Sequence, residues 1–413
     1  MDDAHLECRR NFLKFIAASP LLASFPAAAA YCKESTEESG SKAARSESSS
    51  VISSPDDAVN VFDFEPAARD NLPPAHWGYL KTGVRDDATV LANRTAFSKL
   101  YLRPRRLVDV SKIDTSMHLF GVRHETPIFL APAGSQRAFH EDGELAVADA
   151  AKSKRHLMIL STVSTTSVED VIEARGEPIW YQLYPTSQWE ITRGLVKRAQ
   201  AAGCPVLVLT VDQVTGRNRE TLKRFVKSDT RKCSRCHSTK RGGYLRKRPM
   251  FDGLNTKTLK STLAPDLTWE IVRRLRGETD MKIIIKGLVT REDARLCLEH
   301  KVDGIVVSNH GGRAEESGRG TLDSLPEVLE AVDGNIPVLI DGGFRRGMDI
   351  FKALALGAKA ILIGRPYLWG LGAFGQPGVE KVLEILQLEL ELAMKNAGTR
   401  SIKEINRSYV GVA

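Results

Sequence analysis

The chain has 413 residues, 42% of them hydrophobic, and a formal net charge of +8. That is enough apolar material for one domain of 250 or more residues or for two smaller ones, and only six cysteines in such a length exclude a disulfide-built scaffold. The charge is unevenly placed: residues 217–248 hold thirteen Lys and Arg against Glu220 and Asp229, a local net of +11, so the rest of the chain carries −3 and no nucleic-acid-binding face is expected.

The first element is an address. Arg9-Arg10-Asn11-Phe12-Leu13-Lys14 precedes the mildly apolar run FIAASPLLASFPAAAA, with small residues suited to cleavage near Ala28 to Tyr31. The pattern over residues 1–30 resembles a twin-arginine export signal and implies a periplasmic protein exported already folded. A short amphipathic helix or a membrane anchor is the plainer alternative, although Pro20 and Pro26 interrupt the run and it is short for a span. Residues 31–60, rich in Ser and Glu, read as a disordered linker, which leaves 61–413 as the folded domain.

Within that domain eight short runs rich in Val, Ile and Leu recur: PIFLAP (127–132), LMILST (157–162), IWYQLY (179–184), VLVLTVD (206–212), KIIIKG (282–287), GIVVSN (304–309), PVLIDGG (337–343) and AILIGR (360–365). They are continuous rather than alternating, as suits strands covered on both faces. Helical patterns such as GELAVADAAKSK, QWEITRGLVKRAQAAG and REDARLCLEH lie between them. Eight strand–helix units in this length predict an α/β fold, a (β/α)8 TIM barrel, with an N-terminal pre-barrel segment and a long basic insertion, 217–265, after strand 4. The rival is an open doubly wound sheet, but no G-x-G-x-x-G follows the first strand, which counts against it.

In a barrel, chemistry collects at the C-terminal ends of the strands. Those ends carry Ser161, Gln182 and Tyr184, Thr210 and Asp212, Lys286, Ser308 and His310, Asp341, and Gly364-Arg365. Polar residues that merely end strands account for some of these; Lys286 and His310 are costly at a barrel mouth without partners. DGGFRRG (341–347) and IGRP (363–366) put glycines and arginines after strands 7 and 8, where barrels bind phosphate through backbone N–H groups and a helix N-terminus. Arg345 or Arg365 can pair with that anion. Two ordinary turns with surface arginines are the bland alternative.

Together, SNHGGR, IPVLIDGGFRRGMDIFKALALGA, ILIGRP and SIKEINRS, with the earlier LANRTAF and RPRRLVDVSKID, resemble the FMN-dependent α-hydroxy-acid oxidase and dehydrogenase family, which includes glycolate oxidase, lactate oxidase and flavocytochrome-type L-lactate dehydrogenase. The resemblance runs from about Leu72 to Tyr409. It implies FMN as cofactor, a small 2-hydroxy acid as substrate and a homotetramer. It casts His310 as the active-site base, Asp212 as the carboxylate that orients it, and Arg313 and Arg219 as the grip on the substrate carboxylate. Tyr79 and Tyr184 match the tyrosines that bond substrate, and Lys286 the lysine beside the flavin N1–C2=O edge. Ser161, Gln182, Thr210 and Ser308, with Ala131, Pro132 and Ala133 after strand 1, match the surroundings of the flavin ring. Asp341, Gly342, Gly343, Arg345, Gly364 and Arg365 resemble the ribityl and phosphate contacts.

The chemistry asks for these residue types independently. Oxidising a 2-hydroxy acid removes the hydroxyl proton and the Cα hydrogen with its electron pair. A histidine held in one tautomer by a carboxylate accepts a proton near neutral pH, and guanidiniums fix the carboxylate end. A non-redox FMN barrel such as an isomerase is the competing class.

The chain also departs from the family pattern. Gly134-Ser135 follows Ala133 where glycolate oxidase-like members have Ala-Met, Val163 stands for a tryptophan, and Ala314 for the glutamine after SNHGGR. The smaller Val163 favours lactate or a larger 2-hydroxy acid over glycolate. In the insertion, Cys233-Ser234-Arg235-Cys236-His237 fits the C-x-x-C-H pattern of haem c attachment, although a local disulfide or a metal site is the favoured reading. The basic insertion suits an acidic electron-acceptor protein such as a cytochrome, so a cytochrome or quinone acceptor is expected in place of oxygen.

Overall fold

The structure, a computed structural model, describes residues 51–231, 245–257, 259, 262 and 264–413. The export-signal residues and the Cys233, Cys236 and His237 cluster lie outside the described residues. One compact unit spans Ile52–Ala413.

Each of the eight apolar runs forms a strand: β1 (Ile128–Leu130), β2 (Ile159–Ser161), β3 (Trp180–Leu183), β4 (Val206–Thr210), β5 (Lys282–Leu288), β6 (Gly304–Val307), β7 (Val338–Asp341) and β8 (Ala360–Ile363). From β2 to β8 each pairs in parallel with the next, and β8 pairs with β1 through Ile361 and Ile128. The seam between β1 and β2 is closed by the Leu130–Met158 bridge. The result is the eight-stranded barrel, not the open sheet.

Residue parity divides the strands into two apolar layers, because successive side chains point to opposite faces. Phe129, Ile159, Trp180, Val206, Val208, Ile284, Val306, Leu339 and Leu362 fill the interior. Their neighbours Ile128, Leu130, Leu207, Leu209, Ile283, Ile285, Ile305, Ile340 and Ile361 face the surrounding helices. A hairpin of Met117–Leu119 and Val122–His124 adds Met117 and Leu119 to the interior cluster, and its Phe120 packs on Trp180 at 5.8 Å. The interior parity continues upward to Ala131, Ser161, Gln182, Thr210, Lys286, Ser308, Asp341 and Gly364, one from each strand. The barrel is thus oil below and, at its mouth, a predominantly polar ring.

The outer ring is α1 (Glu144–Ser153), α2 (Val168–Arg175), α3 (Trp189–Ala201), α4 (Glu270–Arg276), α5 (Arg291–Glu299), α6 (Thr321–Val332), α7 (Gly347–Leu356) and α8 (Arg365–Ala397), the last broken by non-helical Phe374 and Gly375. Side-chain caps open α2 and α5, where Ser167 and Thr290 accept from the N–H groups of the third helical residues, Asp170 and Asp293, as N-caps should.

Two expectations are corrected. Residues 52–60 are not part of a disordered linker: turns at Pro55–Asp57 and Val61–Asp63 bury Ala58 and Val61, and Asp56 pairs with Lys381 of α8 at 2.9 Å. Those few apolar residues suffice because α8 presents a ready surface. The insertion also is not loop throughout, since Glu220–Ser228 is helical, with Phe225 packed against the core.

Candidate active site

Strand β6 ends at Val307 and hands the chain to Ser308-Asn309-His310-Gly311-Gly312. His310, Gly311 and Gly312 all have positive φ, at 59°, 65° and 79°. A Cβ on Gly312 would lie 2.6 Å from the Val90 backbone nitrogen, so only glycine permits this approach. Asn309, 1% exposed, braces the turn: its Oδ1 accepts from Gly312 N–H at 2.9 Å and from Asn93 Nδ2 at 2.9 Å. A left-handed histidine is a strained backbone state, of the kind found at functional sites.

His310 Nδ1 donates to Asp212 at 2.9 and 3.1 Å from its two oxygens. That fixes the tautomer and leaves Nε2 as the acceptor, with Tyr184 Oη at 3.3 Å and Gln213 Nε2 at 2.5 Å. Burial lowers the His310 pKa below the ordinary histidine value, opposed by the Asp212 charge and reinforced by Lys286. Burial would raise Asp212, but the charge and hydrogen bond of His310, with Lys286 and Arg217, outweigh it and hold the carboxyl below the usual range. The pair is therefore neutral imidazole with carboxylate near neutral pH.

A cavity of about 640 Å³ opens at the mouth, lined by His310, Tyr79, Tyr184, Arg219, Arg313, Lys286, Ala131, Pro132, Ala133, Asp341, Gly342, Gly343, Arg345, Gly364 and Arg365. Arg313 Nη1 is anchored on the carbonyls of Tyr79 and Thr82 at 2.6 and 3.0 Å. Its guanidinium carbon lies 4.7 Å from the Tyr79 ring centroid, and that of Arg219 5.9 Å. Asp212, Ser161, Gln182, Thr210 and Ser308 stand just behind this wall. Ser308 accepts from Lys286 Nζ at 2.7 Å, and Ser161 donates to Gln182 Oε1 at 3.0 Å.

The polar ring fits a polar planar ligand. Gln182 Nε2, Thr210 Oγ1 and Asp341 Oδ1 are buried with no protein partner, a state that costs about 1–3 kcal/mol per group unless a ligand or water relieves it. Lys286 Nζ, 2.9 Å from Asp341 Oδ2, holds positive charge beneath the same spot. The loops after β7 and β8 fit a phosphate. Burial, then the charge of its neighbour Arg365, pushes Arg345 down to about 9; burial, then Arg313, pushes Arg365 down to about 10. Neither forms an ion pair among the described residues, and Gly364 stands at the N-terminus of α8, so an anion there would relieve the buried Arg345 and the half-buried Arg365.

Sequence reasoning missed Gln213, Arg217 and Arg248. All three line the cavity. Arg248 is 2% exposed and donates Nη2 to Ser135 Oγ at 2.7 Å. Gln213 directly follows Asp212, which was a usable signal; the two arginines were hidden in a basic run whose burial the sequence does not display.

The FMN-dependent dehydrogenase family model matches residues 68–412. A peroxisomal (S)-2-hydroxy-acid oxidase of Oryza sativa subsp. japonica is 40% identical over 359 residues, covering 85% of this chain and 95% of its own. An L-lactate oxidase of Lysinibacillus sphaericus is 40% identical over 350 residues, covering 83% and 89%. Among solved structures, mandelate oxidase with (S)-2-phenylpropionate superposes with a TM-score of 0.76 at 36% identity, covering 86% of this chain and 98% of that one. A flavocytochrome b2 variant with pyruvate bound gives 0.76 at 32%, covering 86% and 87%. The chain belongs to the FMN-dependent dehydrogenase family, with FMN as its cofactor, alongside the 2-hydroxy-acid oxidases and dehydrogenases.

Proposed function

We propose that the protein oxidises the Cα hydroxyl of an L-2-hydroxy acid to the 2-oxo acid, with His310 as the base. The observation that carries this reading is the His310–Asp212 pair, whose Nε2 faces a cavity also lined by Tyr79, Tyr184, Arg219 and Arg313. FMN, when bound, supplies the two-electron acceptor. Ser161, Gln182, Thr210, Lys286, Ser308 and the Ala131–Ala133 segment would hold its ring; Asp341, Gly342, Gly343, Arg345, Gly364 and Arg365 would hold its ribityl phosphate.

Arg313 and Arg219 bind and orient the substrate carboxylate, and Tyr79 and Tyr184 bond the substrate end nearest the base. Nε2 takes the hydroxyl proton, and Asp212 stabilises the imidazolium that results. Val163 lines the wall and lies against Gly134, whose missing Cβ would be 2.5 Å from Val163 Cγ2; this supports lactate or a larger acid over glycolate. Anaerobic bleaching of the bound flavin by L-lactate or a larger L-2-hydroxy acid is the test. No bleaching by any acid of such a panel overturns the reading and leaves the non-redox barrel.

The +11 of residues 217–248 supports an acidic cytochrome as electron acceptor, with a quinone as the alternative; fast stoichiometric peroxide production in air would instead make it an oxidase, as several relatives are named. The Arg9-Arg10 pair supports export to the periplasm, and replacement of both by lysine is expected to trap the enzyme in the cytoplasm.

A further inference from the structure

One carboxylate and one hydroxyl do not account for the cations in this cavity. Arg219 and Arg313 both approach the Tyr79 ring, and their two guanidiniums are enough to engage both oxygens of a single carboxylate. Arg217 is a third. Its described hydrogen bond runs from Nη2 to Gln213 Oε1 at 2.7 Å, and that same glutamine's Nε2 lies against His310 Nε2 at 2.5 Å. Arg217 Nε and Nη1 are buried with no partner, although Arg217 lines the cavity.

The three cations work against one another. Burial, then the charge of Arg219, lowers Arg217 below the usual guanidinium range. Burial lowers Arg313 as well; Tyr79 opposes, and Arg219 and Arg217 add repulsion. Among the described residues none of the three forms an ion pair. A cluster of half-buried like charges with idle donors on Arg217 is costly as it stands and is relieved by an anionic ligand with as many negative groups as it can pair. Arg248 adds a further cation to the same lining.

We infer that the substrate is a 2-hydroxy dicarboxylic acid, whose first carboxylate is held by Arg313 and Arg219 and whose second pairs with Arg217. This rests on the 2-hydroxy-acid reading above and narrows its substrate class. The reaction is unchanged in balance: the hydroxyl proton goes to His310, the Cα hydrogen would leave, together with the electron pair of its bond, to the family's cofactor, and the distal carboxylate keeps its charge in the 2-oxo diacid product. Arg217 also positions Gln213 beside the base, so the test must separate the two roles. A positioning role alone changes the rates of all substrates together, whereas pairing with a distal carboxylate changes the ratio between diacid and monoacid.

The experiment is anaerobic flavin reduction in the purified holoenzyme by L-malate and L-2-hydroxyglutarate, against L-lactate and L-2-hydroxyhexanoate. At least one diacid is expected to exceed both monoacids about tenfold or more in reduction rate over apparent Kd. In Arg217→Leu the diacid-to-monoacid ratio is expected to fall by about 30-fold or more, the scale of breaking a buried charge pair, and Arg217→Lys to recover part of it. A preference for monoacids, or an unchanged ratio in Arg217→Leu, overturns the inference; no reduction by any of the four instead overturns the oxidation reading itself. Should Arg217→Leu not fold, competition on the unaltered enzyme decides: glutarate is expected to bind about tenfold or more tighter than pentanoate, and the reverse order overturns the inference.

Discussion

A histidine base works only while it is neutral, and the surroundings of His310 extend that range downward. Burial lowers its pKa more than Asp212 raises it, so the acidic limb of flavin reduction is expected below the ordinary histidine value of about 6.5. Asp212→Asn removes the interaction that raises the pKa, so the limb should move further toward acid while the rate falls by about 10²-fold or more, because the tautomer is no longer fixed. Stopped-flow reduction across pH 5–8 measures both, and a limb above 6.5 in the unaltered enzyme would contradict the assignment. His310→Gln should retain flavin but lose about 10²–10⁴-fold in reduction rate, the usual worth of general-base catalysis; near-normal reduction would remove His310 from the role.

At the scale of elements, the loop after β7 and the turn after β6 share one brace. Asn93, in the pre-barrel helix Ala88–Thr95, forms a reciprocal amide pair with Asn309 at 2.9 and 3.0 Å and accepts from Thr321 N–H at 3.0 Å. Gly343 approaches it so closely that a Cβ would lie 2.1 Å from the Asn93 carbonyl oxygen, at a φ of 85°. Gly343→Ala is therefore expected to cost about 3 kcal/mol from positive φ plus overpacking, and to lower flavin content by displacing the Asn309 turn. Gly334→Ala has a similar φ of 73° but open space around it, and should cost only about 1 kcal/mol. Urea midpoints and flavin-to-protein ratios compare the two; equal losses would mean that the Asn93 contact does not matter. The strands themselves were legible because a strand buried on both faces leaves a continuous apolar run, and its last interior position shows as a polar residue at the end. The helix Glu220–Ser228 was not, since its apolar face is set by what it packs on, and neither were the half-buried Arg217 and the buried Arg248, because burial of a basic residue depends on where its loop returns.

For the whole molecule, the barrel seam couples stability to pH. The β1–β2 closure rests on the Leu130–Met158 bridge, and His156 sits beside it, 2% exposed, with Nδ1 2.9 Å from the Ile128 carbonyl. Its own carbonyl accepts from Arg175 Nε and Nη2 at 3.3 and 3.0 Å, so the residue is tied on both sides. Burial pushes His156 down to about 4, opposed by the Ile128 hydrogen bond and aided by the Arg175 charge. In the unfolded chain a histidine titrates near 6.5. Between these values the folded state binds fewer protons than the unfolded state, so stability falls as pH drops from 6.5 to about 4 and levels off below. The shift corresponds to about 3 kcal/mol in total, and to about 2 kcal/mol between pH 7 and pH 5. His310, also lowered, contributes in the same direction, so the seam is isolated by difference. Unfolding free energies from urea titration at pH 7 and pH 5 should fall by about 2 kcal/mol more in the unaltered protein than in His156→Asn, which has no proton to gain. Equal losses in the two proteins would place the acid sensitivity elsewhere than at the seam.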